Sequence, residues 1–156
     1  VNKMNGVGEE VHPEGMPATD WDWIIYPKGM YDQLKRVYDD YPGVKEIYIT
    51  ENGMGYKDKF LGPDKAIDDA PRIKYLQAHI LEVAKAISDG IPVKGYFVWS
   101  LQDQFSWTNG YSKRYGLFYV DFASQARYPK QSAYWYRGLA DSKQISTDEE
   151  VKGWTY

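Results

Sequence analysis

The segment from Ile47 to Leu101 sets the tightest limit on what this chain can fold into. A short run, Ile47, Tyr48 and Ile49, is β-branched and aromatic and reads as a buried strand that breaks into Thr50, Glu51, Asn52 and Gly53. Beyond a polar, turn-rich loop from Tyr56 to Asp69, residues Ile73, Leu76, Ile80, Val83 and Ile87 recur at helical spacing. Asp69 and Pro71 open that helix, and Gly90 ends it. Val93 to Leu101 reads as a second strand, whose near-continuous apolar character fits cover on both faces. Strand, helix, strand is a βαβ unit, so the two strands are expected to be parallel, with a right-handed crossover. The fold class is α/β.

This order puts Glu51 at the carboxyl end of a parallel strand. In α/β folds that end faces the ligand, and a carboxylate held there can serve as nucleophile, acid or base. Spacing alone leaves a second reading open, a solvated residue that opens an Asn-Gly turn. Upstream, Gly6, Gly8, Pro13, Gly15 and Pro17 mark a long loop from Val1 to Asp20 that leads to Trp21 and Trp23. A helix from Met30 to Asp40 follows, with Met30, Leu34, Val37 and Tyr38 on one face and Pro42-Gly43 as its stop. Downstream, Asn109-Gly110 predicts a hairpin, and Ser132 to Ser142 a last helix carrying Ala133, Tyr136, Leu139 and Ala140 on one side. The tail beyond Ile145 is polar and reads as irregular. Two strands cannot close a barrel or make a doubly wound sheet, so the pattern reads as one end of something larger.

With 156 residues the chain has the size of one domain. Nineteen basic against twenty-two acidic residues give a net charge of −3, which argues against a nucleic-acid partner. Six Trp and fifteen Tyr suit a pocket that stacks on sugar rings, or equally an aromatic core or surface. The absence of cysteine excludes disulfides and thiolate metal sites. No apolar run is long enough to span a bilayer, and no basic-then-apolar leader opens the sequence, so a soluble, intracellular chain without membrane contact is expected. His79 flanks the helical stripe and reads as a packed helix residue rather than a ligand.

The residues ITENG, Ile49 to Gly53, followed by GYFVWSLQDQFSW and KRYGLFYVDF, resemble the last third of the glycoside hydrolase family one β-glycosidases. Within the family, TDWDWIIYPKG, IYITENGMGYKD and FSWTNGYSKRYGLFYVDF are most similar to the 6-phospho-β-galactosidases. The resemblance implies an eight-stranded (β/α) TIM barrel. This chain, residues 1–156, would supply its carboxyl-terminal part: the last two strand-helix units and the loop before them, with no separate second domain. Glu51 then falls on the nucleophile of a retaining double displacement, which needs a second carboxylate about 5 Å away as acid and base. In the family that group lies in an Asn-Glu-Pro motif after the fourth strand, and no such motif occurs here. Asp103 falls on a structural aspartate, and Glu46 begins its strand at the wrong end. The general acid is therefore expected outside this chain, in the amino-terminal part of the same barrel, and the chain alone is expected to be inactive.

Relatives acting on unphosphorylated sugars carry a glutamate where Ser106 stands. A glutamate would repel a phosphate dianion, whereas a serine hydroxyl can donate to it. Ser106, Lys113 and Tyr115 match the phosphate-binding set of the phosphogalactosidases, and on an extended hairpin Lys113 and Tyr115 share a face. Arg114 is expected to pair with an acidic residue of the barrel wall. Trp99 and Trp107 match sugar-contacting positions, and Trp107 favours a galacto over a gluco sugar. The implied substrate is a phosphorylated disaccharide of the lactose type, cleaved in the cytoplasm without metal or organic cofactor. A 6-phospho-β-glucosidase and a non-catalytic piece that binds phosphosugar or completes a barrel remain as alternatives.

Overall fold

Two parallel strands backed by two helices form the centre of the molecule. The computed structural model describes residues 12–21, 23–107 and 109–145, together with the backbone pairing of 3–4 and 8–9. In chain order the elements are β1 (Lys3–Met4), β2 (Gly8–Glu9), α1 (Lys28–Asp40), β3 (Ile47–Asn52), α2 (Ala70–Ser88), β4 (Val93–Val98), β5 (Phe118–Val120), β6 (Arg127–Pro129) and α3 (Gln131–Ser142). The expected βαβ unit is β3–α2–β4: β3 and β4 pair in parallel, with Ile47 opposite Val93, Ile49 opposite Tyr96 and Asn52 opposite Val98. The tail after Ile145 lies outside the described residues.

The core forms on one side of that pair. Leu34 of α1, Val83 and Ala86 of α2, and Ile91 and Val93 are buried together, with Met30, Tyr31, Ile47, Ile49 and Tyr96 packed around them. Both amphipathic helices therefore present their stripes to the same sheet face. His79 is 5% exposed, stacks on Tyr75 at 4.0 Å, and its Nδ1–H donates to the Tyr75 carbonyl at 2.8 Å, so it is a packed helix residue as expected.

The other sheet face is open, which corrects the expectation of buried strands. Tyr48 is 51% exposed, Phe97 57% and Leu101 67%, because no described element lies against them. The ends of the helical stripes are exposed too: Tyr38 projects past the end of the α1 contact and Ile87 past that of α2. Two short pairings were not expected. β1 pairs with β2 inside the region read as a loop, and β5 with β6 after the second parallel strand, both antiparallel. Segments of two or three residues are too short for a period to show. β3 also runs on through Asn52, so Glu51 lies within the strand as its penultimate residue. β4 stops earlier than expected, at Val98, just before a cis peptide between Trp99 and Ser100. No helix among the described residues is long and apolar enough to cross a membrane.

Candidate active site

The carboxyl ends of β3 and β4 are tied to each other and to α2. The Trp99 N–H donates to the Asn52 carbonyl at 2.8 Å. The Asn52 side chain accepts from Tyr96 Oη at 2.6 Å and donates to Tyr75 Oη at 3.4 Å. Burial raises the Tyr75 and Tyr96 phenols, the Asn52 bond offsetting part of this at Tyr75, so both remain hydroxyls and hold Asn52 by hydrogen bonds alone. Gly53 permits the close approach, since a Cβ there would lie 1.9 Å from the Trp99 carbonyl oxygen. Glu51 is thereby set on a braced strand end at the rim of a cavity of about 720 Å³.

Glu51, Trp99, Ser106, Trp107 and Tyr115 all line that cavity. Across from the strand ends, Ser106 and Gly110 pair backbone to backbone at 2.8 and 2.7 Å, with Gly110 in the left-handed region at φ 58°. A single isolated pair thus closes a turn here, with Gly110 in the pair itself, so the expected hairpin on an Asn109-Gly110 turn is not formed. Asn109, inside the turn, donates from Nδ2 to Ser106 Oγ at 3.4 Å and to Tyr115 Oη at 3.2 Å. Burial raises the Tyr115 phenol, the Asn109 hydrogen bond offsetting part of this, so Tyr115 keeps a proton to donate. A serine hydroxyl and a phenol thus converge on one carboxamide. Trp107, at 97% exposure, stands as a bare indole at the cavity mouth.

Lys113 departs from expectation, for it is not among the cavity walls. Its ammonium lies over two indoles, 4.9 Å from the ring centre of Trp23 and 5.3 Å from that of Trp21. Trp23 in turn lies 6.1 Å from the Tyr115 ring. Trp23 itself lines the cavity, as do Tyr75, Gln104, Phe105 and Asn109, none of which the sequence reading assigned. The pair Trp21 and Trp23 stood out in the sequence, yet nothing in local spacing links them to residue 113.

Behind the loop lies a buried charge network. Asp103 accepts from Arg114 Nη1 at 2.6 Å, Lys130 Nζ at 2.9 Å and the Gly116 N–H at 2.9 Å. Lys130 also donates to Asp58 at 2.6 Å. Arg72 bridges Asp58 and Asp69 and donates from Nη2 to the Arg114 carbonyl at 2.9 Å. Burial opposes the Arg72 charge, but Asp58 and Asp69 outweigh it and hold its pKa above the ordinary value. Burial lowers that of Lys130, with Arg72 adding to the effect and the two aspartates countering it. Arg114 thus finds its acidic partner in Asp103, which serves structure as expected and takes no place in the cavity wall.

A carboxylate at the end of a parallel strand thus faces indoles, amides and hydroxyls across an open cavity built on an α/β unit. The chain belongs to Glycosyl hydrolase family 1, which it matches over residues 1–145. It is 59% identical over 143 residues to the 6-phospho-beta-galactosidase of Staphylococcus haemolyticus, covering 92% of this chain and 30% of that protein. A Staphylococcus aureus protein of the same name is 58% identical over the same coverage. Among solved structures, the family 1 β-glucosidase of Thermotoga maritima superposes with a TM-score of 0.81 at 44% identity, over 86% of this chain and 30% of that one. The chain therefore spans less than a third of the length of these relatives.

Glu51 is the one carboxylate among the described residues that line the cavity. No group of three or more His, Asp or Glu among the described residues could hold a metal ion.

Proposed function

We propose that this chain supplies the seventh and eighth strand-helix units of a (β/α)₈ barrel that hydrolyses 6-phospho-β-galactosides, with residues 1–156 forming part of one domain. The observation that carries this reading is the placement of Glu51 in one cavity with Ser106 and Tyr115, the first on a strand end and the others on the facing loop. Glu51 acts as nucleophile: its carboxylate attacks the anomeric carbon while an acid protonates the departing oxygen, and water activated by the same group then releases the sugar. The acid/base comes from outside this chain, in the remainder of the barrel. Trp99 and Trp107 offer flat faces to the pyranose. Ser106 Oγ and Tyr115 Oη donate to the phosphate, Lys113 adds positive charge, and a phosphorylated sugar of this kind places the reaction in the cytoplasm.

The test combines the chain with a polypeptide carrying the remaining two thirds of the Staphylococcus haemolyticus relative. Hydrolysis of the nitrophenyl 6-phospho-β-galactoside should appear only in the mixture, faster than that of the gluco epimer. Glu51→Gln should lower kcat by roughly 10⁴-fold or more. Full turnover by the variant would remove Glu51 from the chemistry. A mixture that binds galactose 6-phosphate but never turns over would favour a second reading, a non-catalytic phosphosugar-binding piece, which the lone cavity carboxylate supports.

A further inference from the structure

The cation that the phosphate reading needs is not itself a cavity wall but lies over two indoles, one of which, Trp23, is. Lys113 Nζ sits over Trp23 and Trp21, and Trp21 takes a second cation, Lys57 Nζ, at 5.9 Å. These indoles come from a turn far from Lys113 in sequence. Thr19 Oγ1 accepts the backbone N–H groups of Trp21 and Trp23, each at 3.3 Å, and the Thr19 N–H donates to the Trp23 carbonyl at 2.8 Å. Gly55 makes room for the arrangement: a Cβ there would come within 3.2 Å of both the Trp21 and the Tyr115 rings. A turn held from within, two indoles and a glycine notch thus gather the ammonium onto rings of which one, Trp23, lies 6.1 Å from the Tyr115 ring.

We propose that Trp21 and Trp23 are positioning residues for Lys113 and that, through it, they set the preference for a phosphorylated over an unphosphorylated sugar. The inference rests on the phosphosugar reading above. A lysine has a long flexible stem and a strongly hydrated head, so an unsupported one loses much conformational freedom when it engages an anion. Indole faces attract the ammonium through the ring quadrupole and restrict its stem while leaving its charge intact. A phosphate dianion arriving at Ser106 and Tyr115 then meets a cation already gathered nearby. A sugar without phosphate gains nothing from it. The rings therefore act on the ratio of the two affinities, which a loss of general packing does not change.

The experiment titrates the full chain with galactose 6-phosphate and with galactose, followed by NMR. Lys113→Met should lower the ratio of the two affinities and serves as the reference. Trp21→Leu, which alters no cavity wall, and Trp23→Leu should each lower it by about tenfold, with Trp21→Phe and Trp23→Phe restoring most of the loss. In a Lys113→Met chain, Trp21→Leu should have no further effect on the ratio. A ratio that falls with Lys113→Met but not with either indole change overturns this inference and leaves the phosphosugar reading standing. The same holds if Trp21→Leu acts equally with and without Lys113. A ratio near unity in the parent chain, or one indifferent to Lys113→Met, overturns the phosphosugar reading and this inference with it.

Discussion

A carboxylate that is to attack carbon must be held still, and Glu51 is held by what surrounds Asn52 and Gly53 rather than by partners of its own. Two phenols fix the Asn52 amide, and Gly53 lets the Trp99 carbonyl approach to a distance that any side chain would block. His79 shows the reverse case of a titratable group kept away from chemistry. Burial lowers its pKa below 6.5, so the folded chain binds the neutral ring while the unfolded chain takes up a proton. Its contribution to stability is complete above pH 6.5 and is lost as the pH falls below that value. Urea midpoints measured from pH 7.5 to pH 5 should therefore drop, and His79→Gln should flatten the decline. An equal slope in the variant would assign the acid sensitivity to other groups. His79 was readable from sequence because a lone histidine beside an apolar helical stripe has few other fates. Lys113 was not, because its ring partners come from a turn some ninety residues away.

Among the elements, the loops after β3 and β4 are joined by buried charge as well as by the packing of Phe60 on Tyr119 and Tyr128. Asp58, Asp69, Asp103, Arg72 and Lys130 are almost wholly inaccessible, and with Arg114 they balance three negative against three positive charges. A buried pair is costly to break because the remaining charge has neither partner nor water. Asp103→Asn should thus destabilise the chain by about 3–5 kcal/mol in urea unfolding. Asp39→Asn removes the partner of Lys35, in a pair whose side chains are each 51% exposed and screened by solvent, and should leave the urea midpoint nearly unchanged. Equal effects of the two changes would contradict the burial argument. Sequence alone had Asp103 as structural and gave Arg114 an unnamed acidic partner. It could not bring Asp58, Asp69 and Lys130 to one point, since no periodicity links a loop residue and the caps of two separate helices.

At the scale of the molecule, one face of β3–β4 is a packed core and the other is bare. Tyr48 and Phe97 are exposed aromatic rings on that face, with Leu101 exposed beyond the end of β4, beside strand edges left unpaired among the described residues, which favours association with another chain or with itself. Phe97→Glu together with Leu101→Glu should lower the apparent mass of the isolated chain in light scattering, and no change would show that this face is not adhesive. The parallel βαβ unit, the helix faces and the strand-end position of Glu51 follow from short apolar runs, a period of 3.6 residues and turn residues, all of them local signals. The bare face, the β5–β6 hairpin, the seat of Lys113 on two indoles and the six-residue charge network depend on which distant segments meet in space. Local pattern decides what each element is, whereas burial and pairing between distant elements are settled only when the chain is packed.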